Sequence, residues 1–180
     1  MKYQIGVIGS AVEEKSDILK KAREIGKEIA RYNCVLLTGA TTGVSYEAVK
    51  GAKENNGLTI GFSPASNLSE HVEKYKLPVE YFDVIIFTGF GFKGRNVPFI
   101  RSCDAVVAIS GRIGTLNEFT IAYDERKVIG ILKGTGGLCD DEGIEEFVRK
   151  SGKKGGKIIH EFDPKSLIKK LMNELRAYEV

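Results

Sequence analysis

Short apolar runs alternate with amphipathic helical stretches along the whole chain, and that alternation admits few folds. "YQIGVIG" (3–9), "CVLLTG" (34–39) and "GLTIGFS" (57–63) read as strands, as do the runs at 82–87, 104–109, 128–132 and about 157–160. Helical periodicity fills the gaps at 15–32, 45–54, 95–102, 115–123 and 141–149, with Ile18, Ala22, Ile25 and Ile29 on one stripe of the first helix. A helix between two strands returns the chain so that the strands pair in parallel, and a parallel sheet needs cover on both faces. The expected fold class is therefore α/β: a three-layer, doubly wound, mainly parallel sheet of about seven strands.

The polar connection 64–80, with Pro64 and Pro78, is where the spacing predicts that the sheet crosses to its other half. The tail "DPKSLIKKLMNELRAY" places Asp163 at an N-cap and Pro164 at the first helical position, ahead of Leu167, Ile168, Leu171 and Leu175 on one face. A length of 180 residues fits one domain, 1–180, able to bury roughly two-thirds of its unfolded surface. Lys and Arg number 27 against 24 Asp and Glu, and a net charge of +3 argues against nucleic acid and for a small anionic partner. Cys34, Cys103 and Cys139 are odd in number and scattered, which reads as reduced thiols and a cytoplasmic chain. No run approaches the roughly 18 apolar residues of a membrane span.

Ligands of such sheets sit beyond the carboxyl ends of the strands. The first strand ends in Gly9-Ser10 without a full G-x-G-x-x-G, which disfavours a hydride-carrying dinucleotide; the absence of G-x-x-x-x-G-K-[ST] disfavours a P-loop. "TGATTGVSYEA" (38–48) offers Gly39, Thr42 and Gly43 ahead of a helix whose free amides suit phosphate or ribose. "FTGFGFKGRNVPF" (87–99) brings Arg95, whose fork suits a phosphate or carboxylate, with Lys93 as the weaker candidate. "SGRIGTLNE" (110–118) follows the fifth strand with Gly111, Arg112, Gly114, Thr115 and Glu118. Thr115 and Glu118 have the spacing of a capping box, and a carboxylate at that place also reaches the mouth of the cleft.

The glycines, aspartates and glutamate at 134–142 read as a glycine loop leading into a helix start; such a loop also has the means to close over a ligand, and hard-cation binding is the competing reading. "RKSGKKGGK" (149–157) reads as a solvated basic loop. His71 and His160 lie too far apart in sequence to suggest a zinc site or triad.

"SGRIGTLNE" resembles the PGGxGTxxE signature of the LOG (Lonely Guy) family, a Rossmann-like nucleotide-binding family that includes phosphoribohydrolases. The resemblance extends over roughly 3–135 through "GRNVPFIRSCDAVVAIS", "TGATTGV" and "GFSP". It is nearest to a branch that includes the molybdenum-cofactor carrier proteins, and more distantly resembles DNA-processing protein A. Some relatives carry a "lysine decarboxylase" label, which nothing in one small domain without a pyridoxal-phosphate lysine supports.

The resemblance implies hydrolysis of the N-glycosidic bond of a nucleoside 5′-monophosphate, with Arg95 and Glu118 catalytic. Gly9, Ser10, Gly39, Thr42, Gly43, Gly111, Arg112, Gly114 and Thr115 would then bind phosphate and ribose. The alternative it implies is a non-catalytic carrier or sensor of a phosphorylated pterin or nucleotide. No metal or other cofactor is implied, and a homodimer or higher homo-oligomer is. Ser110 and Arg112 stand where the signature has proline and glycine, so Arg112 either adds a phosphate contact or crowds the pocket.

Overall fold

The computed structural model describes residues 1–12, 15–150, 152 and 154–177. Seven strands form one sheet: β1 (Gln4–Gly9), β2 (Val35–Thr38), β3 (Leu58–Ser63), β4 (Val84–Phe87), β5 (Ala105–Ile109), β6 (Val128–Leu132) and β7 (Ile158–Glu161). Their order is β4-β3-β2-β1-β5-β6-β7, and every neighbouring pair is parallel. The α-helices are α1 (Ser16–Arg31), α2 (Val44–Glu54), α3 (Gly91–Gly94), α4 (Asn96–Arg101), α5 (Ile113–Asp124), α6 (Glu142–Lys150) and α7 (Pro164–Ala177).

The two faces of the sheet follow from side-chain alternation along each strand. In β5, Ala105, Val107 and Ile109 join a core formed with α1, α2 and α7, whereas Val106 and Ala108 face Phe99 and Ile100 of α4 and Phe119 and Ala122 of α5. β5 is buried throughout because helices cover both sides, which is why it reads as an unbroken apolar run. At the edge, Val84 and Ile86 of β4 remain exposed. The last helix starts as its sequence dictates, with the Ser166 amide donating to Asp163 Oδ1 at 2.9 Å and Pro164 in the first position.

One expectation is corrected. The connection 64–80 does not carry the crossover: it joins adjacent strands β3 and β4, and includes a π-helical turn at Glu70–Lys74. The chain reverses direction across the sheet only after β4, which lies at one edge while β5 pairs with β1. The switch point is thus between β1 and β5, and the segment that crosses over carries Lys93 and Arg95. His71 anchors the 64–80 connection from inside: fully buried, it meets Ser63 Oγ at 2.8 Å through Nδ1 and Pro78 O at 3.0 Å through Nε2. A carbonyl only accepts, so Nε2 bears a proton and donates to Pro78 O.

The basic run 149–157 falls partly outside the described residues. Its Gly156 amide donates to Tyr123 O, and Lys157 pairs with Glu174.

Candidate functional site

A cleft of about 370 Å³ opens at the carboxyl ends of β1, β2 and β5. Gly9 and Ser10 extend β1 into it, Gly39 follows β2, and Arg112, Gly114, Thr115 and Glu118 come from the start of α5. Arg95 enters from the α3–α4 junction. Eight of the eleven residues singled out in the sequence therefore share one cavity, although they span 110 positions of chain, from Gly9 to Glu118.

The other three do not line it. Thr42 is exposed and its hydroxyl donates to Ala11 O at 2.8 Å, tying the loop after β2 to the loop after β1. Gly43 takes a φ of +71° against the same loop, where the Val44 amide donates to Ser10 O. Gly111 has a φ of +115°, and its carbonyl accepts from the Leu138 amide. Sequence reading passed over Ala11, Val12, Thr41, Ser45, Phe92 and Asn96, which also line the cleft, and undervalued Lys93. Their signal is position alone, one to three residues from a glycine turn, and position has meaning only once the crossover is known.

Arg95 and Glu118 are the electrostatic centre. Arg95 is 4% exposed and Glu118 8%; Arg95 Nη1 donates to Glu118 Oε1 at 3.0 Å and to Asn96 Oδ1 at 2.9 Å. Asn96 in turn donates to Asn117 Oδ1 at 2.7 Å, and the guanidinium lies 5.8 Å from the centre of the Phe99 ring. The buried Nε of Arg95 has no acceptor among the described residues. Burial pushes the Glu118 carboxyl up and the Arg95 guanidinium down from their ordinary pKa values; their mutual attraction opposes both shifts, and Lys93 also favours the ionised carboxylate.

Gly39 has a steric reason. A Cβ there would lie 2.1 Å from the Arg95 guanidinium nitrogens, so any other residue displaces the arginine from its partner.

The expected capping box at Thr115 and Glu118 does not form. The helix begins two residues before Thr115, and the N-cap is Arg112, whose backbone is extended (φ −127°, ψ −158°) and makes no side-chain cap. Thr115 lies inside the first turn, and Glu118 faces Arg95 instead of its own helix start. The extended backbone of Arg112 is open to any residue, so arginine is accommodated where the signature has glycine. The first intrahelical bond of α5 runs from the Leu116 amide to Arg112 O, which leaves the preceding amides without a helical acceptor. Lys93 Nζ hovers there, 3.8 Å from where a Cβ on Gly114 would be.

Three cations, Lys93, Arg95 and Arg112, thus surround a cleft in which Glu118 is the single carboxylate among the described lining residues. Cations around a helix start are an arrangement whose charge and free amides are complementary to an anion.

No residue of the acidic loop after β6 is among the described lining residues of the cleft, and Asp140 directs both carboxylate oxygens at the Gly134 and Gly136 amides. Among the described residues, no group of three His, Cys, Asp or Glu is placed to hold a metal ion. The three cysteines are free and buried. No helix among the described residues is long and apolar enough to cross a membrane.

Solved structures match this architecture. The molybdenum cofactor binding protein of Rippkaea orientalis is 31% identical, with a TM-score of 0.79 over 97% of this chain and 98% of its own. The molybdenum cofactor carrier protein of Chlamydomonas reinhardtii is 30% identical, with a TM-score of 0.75 over 98% of this chain and 99% of its own. DNA processing protein A of Streptococcus pneumoniae is 17% identical with a TM-score of 0.65, covering 89% of this chain and 59% of its own, a likeness of fold alone. The model of the SLOG cluster4 family matches residues 2–168, and the chain belongs to that family.

Proposed function

We propose that the protein binds a small phosphorylated ligand of the pterin type, the class to which the molybdenum cofactor belongs, and carries it without breaking it down. The observation that supports this most is the state of Glu118. It is the single carboxylate among the described residues of the cleft, it is buried, and one of its oxygens is engaged by Arg95. Two carboxylates are the rule for O-glycosides, and a nucleobase leaves with less acid help, but even then the one carboxylate has to be free to steer water or stabilise the oxocarbenium-like centre. A carboxylate locked to arginine instead helps to hold that arginine in place, while Lys93, Arg112 and the first turn of α5 receive the phosphate. Similarity along almost the whole chain to proteins described as binding or carrying the molybdenum cofactor supports the same reading.

The hydrolase reading retains one specific support: Arg95 and Glu118, the pair that the signature singles out, do line the same cavity. One experiment separates the two. The purified protein is mixed anaerobically with a phosphorylated molybdopterin and passed over a desalting column, and retained pterin is read by its fluorescence after oxidation. In parallel, nucleoside 5′-monophosphates are incubated with the protein and free base is quantified. Stoichiometric retention with no base release is expected. Turnover of any monophosphate that disappears in Glu118→Gln overturns the carrier reading in favour of the hydrolase, and failure to retain the pterin sinks it outright.

A further inference from the structure

The turn that launches α5 is held from behind by the loop after β6. Ser110 is a non-glycine residue at a φ of +55°, a left-handed conformation that an L-residue adopts only against its own steric preference. Its backbone is gripped at both ends. The Ser110 amide donates to Thr135 Oγ1 at 2.8 Å, and the Thr135 hydroxyl donates onward to Leu132 O at 2.7 Å, so one side chain bridges the ends of β5 and β6. The Cys139 thiol donates to Ser110 O at 3.2 Å, and the Leu138 amide donates to Gly111 O at 3.1 Å. Thr135 and Cys139 are each 1% exposed, so water cannot replace either bond.

The holding loop is itself shaped for close approach. The Gly134 and Gly136 amides point into the Asp140 carboxylate at 2.8 and 2.6 Å. Gly137 presses so near that a Cβ on it would lie 2.2 Å from Gly111 O. None of residues 134–140 lines the cleft, yet the turn they hold leads directly into Arg112, Gly114, Thr115 and Glu118, which do.

We propose that Thr135, seconded by Cys139, is a positioning residue for the ligand: it holds Ser110 left-handed and so aims the first turn of α5 at the cleft. This rests on the reading that the start of α5 receives a phosphate. Burial pushes the Cys139 thiol up to about 12, which keeps it a donor across the ordinary pH range. Thr135 carries the larger share because its hydroxyl is the stronger partner and spans two strands.

The test uses Thr135→Val, Thr135→Ser and the double variant Ser110→Gly/Thr135→Val in the full chain, with adenosine 5′-monophosphate and inorganic phosphate as titrants. Amide hydrogen exchange serves as a readout that needs no ligand. Thr135→Val is expected to weaken both titrants about tenfold, the equivalent of one hydrogen bond, and to speed exchange over 110–116 while β1 and β2 stay protected. Thr135→Ser keeps the hydroxyl and restores wild-type behaviour. Glycine adopts the left-handed conformation unaided, so Ser110→Gly in the Thr135→Val background recovers most of the affinity. Unchanged exchange over 110–116 in Thr135→Val, a uniform rise across the sheet, or no recovery from Ser110→Gly overturns the proposal. Should wild type bind neither titrant while exchange responds as expected, the holding role of Thr135 stands and the phosphate reading of the α5 start falls.

Discussion

Replacing Arg95 by methionine isolates the electrostatics of the buried pair. Methionine keeps most of the side-chain volume over Phe99 and against Gly39, so what is lost is the charge and its hydrogen bonds. Glu118, 8% exposed, is left facing an apolar neighbour, and removing one partner of a buried ion pair costs about 3–5 kcal/mol. Each kcal/mol moves the melting point of a chain of this size by roughly 2–4 °C, so a loss of about 6–20 °C is expected near pH 8. The pH dependence carries the diagnosis. Burial already raises the Glu118 pKa, and the opposing attraction of Arg95 is gone in the variant, so its folded-state pKa lies further above the unfolded value. A group with a raised folded pKa favours folding below its unfolded pKa and disfavours it as pH rises through the folded one. The penalty of Arg95→Met therefore vanishes toward about pH 4, near the unfolded glutamate pKa, and grows toward neutrality. Denaturant unfolding at pH 5 and pH 8 reads this difference, with wild type as the reference at each pH. Adding Glu118→Gln removes the stranded charge, so the double variant is more stable than Arg95→Met at pH 8. Equal losses at both pH values, or a double variant no better than the single, refute the buried-pair account.

Gly39→Ala puts a methyl group 2.1 Å from the Arg95 guanidinium; a loss of about 1–3 kcal/mol by thermal unfolding is expected, with ligand affinity falling as the arginine moves. Full affinity in that variant contradicts the placement of Arg95. Ser110→Pro restores the signature residue, yet proline can neither donate to Thr135 nor take a φ of +55°, so a loss of about 3 kcal/mol or more is expected; wild-type stability counters it. His71→Phe strands the Pro78 carbonyl and the Ser63 hydroxyl, and about 1–3 kcal/mol per stranded group is expected in chemical denaturation. Faster amide exchange confined to 64–80 would locate the damage.

The layer architecture was legible because periodicity is a local property. Each strand of about five apolar residues and each striped helix announces itself without reference to the rest of the chain. The carboxyl-end glycine turns were legible for the same reason, and most of the residues they flag meet in one cleft. What misled was also local. Thr115 and Glu118 have the spacing of a capping box, but spacing does not say where a helix begins, and α5 begins earlier because Ser110 and Gly111 turn the chain early. The polar segment 64–80 resembled a crossover, whereas the crossing is made by the stretch 88–104 after β4.

By itself, the sequence determined the parallel α/β layering, the positions of the turns and the short roster from which a site could be drawn. Tertiary structure alone decided which of those residues act together. The Arg95–Glu118 pair joins residues 23 positions apart, the guanidinium rests against Gly39 in the turn after β2, and Thr135 reaches back 25 positions to hold Ser110. Such contacts depend on strand order, and strand order is a global choice that minimises exposed apolar surface over the whole sheet. No window of sequence contains it, which is why an ordinary threonine behind the cleft and an arginine in place of a signature glycine acquire meaning only in the fold.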